Sequence, residues 1–268
     1  MTPTAPIGIF DSGIGGLTVL KEIRRHLPGE SLIYFGDEAR FPYGIKSAET
    51  VTRFSREIAA YLAGQGIKAL VVACNTAASV ALGSLRDSLD MPVIGVLMPG
   101  AYAASRATRS GRVGIIGTEG TVSSGVYARL IGNIRPGTEV FARPCPLFVP
   151  LVEEGRTEGE ITRLAASEYL SPLKAEGVDT LVLGCTHYPL LKGVIASVMG
   201  PEVALIDSAH ETAHEVRRVL EKLNLNNQLG GTAYMRYLVT DAPARFKAIG
   251  ERFLGCDIPA VEKVELPG

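Results

Sequence analysis

Short runs of apolar residues alternate with amphipathic stretches along most of the chain. Ile7-Gly8-Ile9-Phe10 is continuously hydrophobic, as a strand buried on both faces must be. Leu17, Leu20, Ile23 and Leu27 then recur at helical spacing until Pro28-Gly29 stops them. Ser31 to Phe35 predicts a second strand, and a polar loop runs from Gly36 to Lys46. Ser47 is placed to cap a helix carrying Val51, Phe54, Ile58, Tyr61 and Leu62, which Gly64 and Gly66 end. Ala69 to Ala73 predicts a strand, Asn75-Thr76 opens a helix with Val80, Ala81 and Leu85, and Val93 to Leu97 predicts another strand.

The pattern then restarts. Val113-Gly114-Ile115-Ile116 repeats Ile7-Gly8-Ile9-Phe10, with Gly117-Thr118 where Asp11-Ser12 stood. A helix over Val122 to Ile131, a strand over Thr138 to Ala142 and a helix over Thr157 to Lys174 follow. The strand before Cys185 comes next, then a helix with Pro189 early in it, where the missing N–H does little harm. Val203 to Ile206 parallels Val93 to Val96. A tail without counterpart holds a helix (208–222), a strand (Tyr234 to Thr240), a helix (242–254) and a last strand (Val261 to Leu266). Strands alternating with amphipathic helices predict an α/β protein of mainly parallel sheets flanked by helices. The repeat predicts two pseudo-symmetric domains, 1–97 plus 207–268 and 98–206, the tail returning to complete the first.

The sharpest duplication ends on a cysteine. Gly66 through Cys74-Asn75-Thr76 matches Gly177 through Cys185-Thr186-His187 at a constant offset, 177 − 66 = 185 − 74 = 111. Ligands of open α/β sheets bind outside the carboxyl ends of the strands. Asp11-Ser12, Cys74-Asn75-Thr76, Gly117-Thr118 and Cys185-Thr186-His187 all fall there. With the two domains facing each other, these loops line one cleft and set the cysteines across it. A thiolate and a thiol on opposite faces of a carbon can remove a proton from one side and supply one from the other, which inverts a stereocentre. Both cysteines precede a predicted helix, whose N-terminus lowers a thiol pKa from about 8.5. Asp11, Ser12, Asn75, Thr76, Thr186 and His187 can hold ammonium and carboxylate groups, with helix-start N–H groups taking anions.

A bland reading stands beside each of these. A buried cysteine is commonly a small core hydrophobe, and Cys145 and Cys256 are read that way; their shared offset of 256 − 145 = 111 lacks matching flanks. For Cys74 and Cys185 the duplication alone leaves core and catalytic readings open. Gly13-Ile14-Gly15 lacks the third glycine of a dinucleotide fingerprint. His210 and His214 lie four apart on a helix, but zinc needs a third ligand, so an exposed helix face is expected and no metal is assigned. Glu153-Glu154 reads as a solvated pair unless a short helix aims Glu153 into the cleft.

Composition narrows the classes. The 27 basic and 28 acidic residues are interspersed and leave a net charge of −1, which argues against nucleic acid and acidic membrane surfaces as partners. Four cysteines without a Cys-x-x-Cys pair do not make a disulfide framework. The first residues lack the basic and apolar regions of a signal peptide, and no apolar run spans a bilayer. The expectation is a protein of a reducing cytoplasm with a small-molecule substrate.

Four motifs in order carry a resemblance. Phe10-Asp11-Ser12-Gly13-Ile14-Gly15-Gly16-Leu17, Pro42-Tyr43-Gly44, Ala73-Cys74-Asn75-Thr76 and Gly184-Cys185-Thr186-His187-Tyr188-Pro189-Leu190-Leu191 together resemble the glutamate racemases of the cofactor-independent aspartate/glutamate racemase superfamily. The resemblance runs from Ile7 to about Gly255. It implies interconversion of L- and D-glutamate without pyridoxal phosphate or other cofactor, by two-base proton transfer, supplying D-glutamate for peptidoglycan. By position, Cys74 would take the proton from D-glutamate and Cys185 from L-glutamate. Asp11, Glu153 and His187 would assist the thiols. Asp11, Ser12, Pro42, Tyr43, Gly44, Asn75, Thr76, Thr186 and His187 would bind substrate, with Thr118 and Thr121 as further contacts. The resemblance also implies a homodimer. Some members carry an N-terminal extension and depend on a cell-wall precursor; this chain starts almost at its first strand, so no such dependence is expected. The alternatives are racemisation of another acidic amino acid, a two-lobed amino-acid binder, which needs no paired thiols, and a cysteine hydrolase or thiol redox protein, which leaves one cysteine unexplained.

Overall fold

The structure is a computed structural model that describes residues 1–227 and 233–266, so 228–232 and 267–268 of the first expected domain lie outside the described residues. The chain divides into two compact units, Met1–Val96 with Ala209–Gly268, and Leu97–Ser208.

In the first unit, β1 (Ile7–Asp11) leads through a glycine-rich turn to α1 (Leu17–His26), β2 (Leu32–Gly36), α2 (Ala48–Gly64), β3 (Ala69–Val72), α3 (Asn75–Ser88) and β4 (Val93–Gly95). Ser47 caps α2, its side chain accepting from Thr50 N at 3.2 Å. The second unit runs α4 (Leu97–Ala107), β5 (Arg112–Gly117), α5 (Glu119–Ser123), α6 (Val126–Ile134), β6 (Glu139–Pro144), α7 (Phe148–Glu153), α8 (Glu160–Ala175), β7 (Thr180–Gly184), α9 (Lys192–Met199) and β8 (Ala204–Asp207). From α10 (Ser208–Lys222) onward the chain returns to the first unit with β9 (Met235–Val239), α11 (Pro243–Leu254) and β10 (Glu262–Lys263).

Both sheets are parallel. Their orders are β10-β9-β2-β1-β3-β4 and β6-β5-β7-β8. In each, the chain steps outward from the first strand of the repeat (β1 or β5), then crosses to its other side. That reversal is a topological switch point, where the loops after adjacent strands splay apart and leave a crevice. Every residue of β1, β2, β3 and β7 is buried, as central parallel strands covered on both faces must be. Burying each large apolar side chain there contributes about 1.5–3 kcal/mol.

Several elements differ from the periodicity. Val93 to Leu97 is extended only to Gly95; Leu97 already belongs to α4, a helix that Pro99-Gly100 hid. A proline in the first turn is harmless because its N–H would have no intrahelical acceptor. Gly100 packs closely, since a Cβ there would stand 3.3 Å from the Tyr127 hydroxyl and 3.4 Å from Ser208 Cβ. Val122 to Ile131 is two helices, divided at Gly125, whose φ of 62° is left-handed. After Cys185 a 3₁₀ turn over Tyr188–Leu191 precedes α9, so the predicted helix starts later than expected. The last strand shrinks to Glu262–Lys263. Among the described residues no helix is long and apolar enough to cross a membrane.

Candidate active site

The groups at the first switch point are held by a tight turn. Asp11 ends β1, fully buried, and its Oδ2 accepts from Gly13 N at 3.1 Å. The Tyr34 hydroxyl donates to Gly13 O at 2.7 Å and closes the turn from β2. Gly16 admits that crowding: a Cβ there would lie 2.5 Å from Asp11 Cβ. Cys74 follows β3 and is the N-cap of α3, its sulfur accepting from Ala77 N at 3.5 Å. Its S–H donates to Ser12 Oγ at 3.6 Å. Burial, then the Asp11 charge, push the Cys74 thiol up to about 11, although the Ala77 amide and Ser12 pull the other way. The expected lowering by a helix N-terminus is therefore overridden at Cys74. Asn75 and Thr76 are buried in the first turn of α3.

The Pro42-Tyr43-Gly44 motif serves mainly as a brace. Pro42 is exposed, Gly44 half-buried and Tyr43 buried. The Tyr43 hydroxyl donates to Asp37. Asp37 also accepts from Arg40 Nε at 2.6 Å and Thr240 Oγ1 at 2.9 Å. Burial, then Asp37, raise the Tyr43 phenol and keep it a donor. Any contribution of this motif to a ligand thus falls to its backbone rather than to the Tyr43 hydroxyl.

The second switch point carries a different set. Gly117 of β5 pairs with Gly184 of β7, and a Cβ on Gly184 would meet Ile116 O at 2.7 Å. Thr118 caps α5, accepting from Thr121 N at 3.2 Å and donating to Thr121 Oγ1 at 3.0 Å. Cys185 lies just beyond β7, 3.9 Å from His187 Nδ1. His187 Nε2 in turn lies 3.2 Å from Glu153 Oε1. A carboxylate only accepts, so Nε2 carries the hydrogen and Nδ1 presents its lone pair to the thiol. Cys185, His187 and Glu153 are all buried, at 6%, 2% and 8% exposure. The short helix α7 buries Glu153 while Glu154 stays exposed, so Glu153 is not one of a solvated pair. Thr186 is buried beside them. Thiol, imidazole and carboxylate in this order can move a proton from sulfur to nitrogen, the carboxylate stabilising the imidazolium that forms.

The other two cysteines do other work. Cys145 is buried, its N donating to Gly117 O at 2.9 Å and its carbonyl accepting from the Tyr188 hydroxyl at 2.9 Å; burial raises its thiol. Cys256 is half-buried rather than in the core, with an Arg24 guanidinium N–H at 3.3 Å from its sulfur.

Known proteins resemble this chain in sequence and fold. The sequence profile described as Asp/Glu/Hydantoin racemase matches residues 7–216. A glutamate racemase of Geobacter metallireducens is 56% identical over 98% of each chain. The crystal structure of a glutamate racemase isoform from Bacillus anthracis is similar at a TM-score of 0.94, 41% identity and 98% of each chain. That of the Francisella tularensis glutamate racemase in complex with D-glutamate gives 0.92 and 39%, again over 98% of each chain. The chain belongs to the Asp/Glu/hydantoin racemase family.

Within this racemase fold the structure adds groups that the sequence did not single out. Asp37 follows β2 at its carboxyl end, as Asp11 ends β1, but in the sequence it lies within the polar loop from Gly36 to Lys46. Tyr34 lies inside a strand and gave no signal. Tyr127, buried and bonded to Ser208, has its phenol raised by burial and stands near enough to Cys185 to feel its charge. Among the described residues, the grouping of three potential metal ligands is His26, His210 and His214, none of them at either switch point.

Proposed function

We propose that the protein interconverts L- and D-glutamate by two-base proton transfer, with Cys74 and Cys185 as the bases. The observation that supports this most directly is that each sheet follows the strand beside its switch point with a buried cysteine that has its own proton partner, Ser12 for one and His187–Glu153 for the other. Full-length relatives named glutamate racemase support the substrate, and D-glutamate supply for peptidoglycan is the family's purpose.

In the D-to-L direction Cys74 as thiolate takes the α-proton, leaving a carbanion, and the Cys185 S–H supplies a proton to the opposite face. The chain ends with a Cys74 thiol and a Cys185 thiolate, and the reverse reaction starts from that state. No cofactor is required, because both proton transfers fall to side chains. The high Cys74 pKa, set by burial and then by the Asp11 charge, favours the thiol. A substrate ammonium near Asp11 would offset the carboxylate's share of that shift and favour the thiolate when substrate is bound. On the L side, His187 accepts the Cys185 proton. Ser12, Asn75, Thr76, Thr118, Thr121, Thr186 and the backbone at Pro42-Tyr43-Gly44 hold the carboxylates and ammonium. A cytoplasmic homodimer completes the reading, and analytical ultracentrifugation of the purified chain tests the pairing.

The reaction test uses deuterated water. L-Glutamate should lose optical rotation and exchange its α-proton, with L-aspartate run in parallel for substrate choice. Cys74→Ser and Cys185→Ser should each cut racemisation at least ~10²–10⁴-fold. A wild type inert toward acidic amino acids would overturn the activity, and full racemisation in either variant would overturn the two-thiol mechanism.

A further inference from the structure

The first unit carries a cluster of three histidines that the proposed racemase chemistry does not use. His26 is the last residue of α1, and His210 and His214 are one turn apart on α10. One ring nitrogen of each falls within 4.8 Å of those of the others. The ring centroids are 4.5–5.2 Å apart. The sequence showed His210 and His214 four apart but not the third ring, which arrives from residue 26.

The hydrogen bonds around the cluster fix the His26 tautomer and show which His210 tautomer a metal would need. His26 Nδ1 lies 2.9 Å from Glu22 O, a carbonyl that only accepts, so Nδ1 carries the hydrogen and Nε2 keeps its lone pair. His210 Nδ1 lies 3.3 Å from Glu22 Oε2, which only accepts, and 3.3 Å from the Arg25 guanidinium, which only donates; the tautomer that donates to Glu22 leaves Nε2 bare for a metal. Glu22 thus orients two rings at once, the carboxylate and carbonyl partners that metal-bound imidazoles ordinarily have. His210 Nε2 and His214 Nε2 are 3.3 Å apart. Zinc–nitrogen bonds of about 2.0–2.1 Å at tetrahedral angles separate two ligand nitrogens by about 3.3–3.4 Å. One turn of α10 already holds these two rings at that spacing, and His26 from the end of α1 brings a ring nitrogen within 4.8 Å of theirs. His214 is exposed and the other two half-buried, which gives an ion an entry path and leaves water a fourth position.

Cationic neighbours oppose a metal there. Arg25 lies 3.3 Å from His210 Nδ1, and Arg217 donates to His26 O. Arg25 is itself paired with Glu22 at 2.8 Å, which offsets its charge, and Glu211 adds a negative charge near His214.

We propose that His26, His210 and His214 form a binding site for a divalent transition-metal ion of the zinc type, oriented by Glu22 and tying the end of α1 to the start of α10. Zinc ion alone, titrated into untagged protein by calorimetry, should bind at one equivalent through this site. Cobalt(II) in its place should give a d–d spectrum without thiolate charge-transfer bands, separating this site from the cysteines. His210→Ala and His214→Ala should abolish that binding, and Glu22→Gln should weaken it about 10–100-fold. Zinc should raise the Tm of the wild type and not of the variants, which are compared after circular dichroism shows matched helix content. Absence of binding, binding retained in both histidine variants, or a cobalt spectrum dominated by thiolate would overturn the proposal. Racemase activity is not the readout, so failure of either proposal leaves the other standing.

Discussion

Cys74 and Cys185 occupy matching places in two sheets that share a strand order over β2-β1-β3-β4 and β6-β5-β7-β8, and their surroundings differ in kind. The Cys74 sulfur meets a backbone amide and a hydroxyl, with the buried Asp11 carboxylate adding negative charge nearby. These groups hold a thiol and offer its proton no strong base in hydrogen-bonding contact. The Cys185 sulfur faces an imidazole whose far nitrogen is anchored on a buried carboxylate. Duplication preserved the strand, the switch point and the sulfur, while the proton partners diverged. A racemase acting on mirror-image substrates therefore does not need a mirror-image site. Under the proposed mechanism it needs two acids of comparable strength when substrate is bound, and different neighbours would supply that, one through the substrate's own charge and one through a resident base.

The largest effect should come from removing the base on the Cys185 side. His187→Gln, or Glu153→Gln, is expected to lower kcat/KM about 10²–10⁴-fold. Enantiomers have equal free energy, so the loss must be equal in both directions and cannot by itself show which proton transfer suffered. The primary isotope effect can. With Cys185 transfer made slower, the effect should grow for α-deuterated L-glutamate and shrink for α-deuterated D-glutamate. Equal isotope effects from both substrates would mean that the relay does not belong to one thiol.

Alkaline pH tests the Cys74 side. The folded thiol is held at about 11, against about 8.5 for an unfolded cysteine. A folded pKa above the unfolded one means that the fold prefers the protonated form. Its contribution to stability is complete below about pH 8.5 and is lost as the pH rises through 11. Urea unfolding at pH 8 and pH 11 should show the wild type losing about 2–3 kcal/mol more than Cys74→Ser, which has no thiol to ionise there. Cys185→Ser keeps Cys74 and should keep the wild-type loss. An equal alkaline loss in wild type and Cys74→Ser would place the thiol pKa in the ordinary range.

What the sequence reveals of this comparison follows from which forces are local. Ile7 to Phe10 and Leu181 to Leu183 read as buried parallel strands because burial on both faces leaves no polar alternation. Cys74, Cys185, Asp11 and Thr118 could be placed at strand ends for the same reason. The α4 helix was hidden because Pro99-Gly100 looks like a stop, whereas in the fold Gly100 packs closely against Tyr127 and Ser208, residues distant in sequence. Glu153 was ambiguous because its partner His187 is 34 residues away and the helix carrying it has six residues, too few to show a period. The direction of the Cys74 shift was misread because a helix N-terminus is visible in sequence, whereas burial and the Asp11 charge are properties of the folded turn. Long-range polar pairings decide the chemistry here, and periodicity carries no information about them.

The smallest effect separates the two cysteines by structural role. Cys74 is an N-cap, its sulfur accepting from Ala77 N at 3.5 Å. Serine is among the strongly preferred residues at that position, and its oxygen is a better acceptor than sulfur. The hydroxyl in Cys74→Ser would also keep Ser12 as a partner, so the buried polar group would be satisfied. That variant should gain about 0.5–1 kcal/mol at neutral pH while losing catalysis, a Tm rise of roughly 1–4 °C for a chain of this size. Cys185 precedes a 3₁₀ turn whose cap is His187, so Cys185→Ser has no helix cap to improve and should gain nothing. Differential scanning calorimetry of the two variants beside wild type measures both. A rise in Cys185→Ser equal to that in Cys74→Ser would mean that helix capping does not distinguish the two thiols, leaving their proton partners as the difference between the halves.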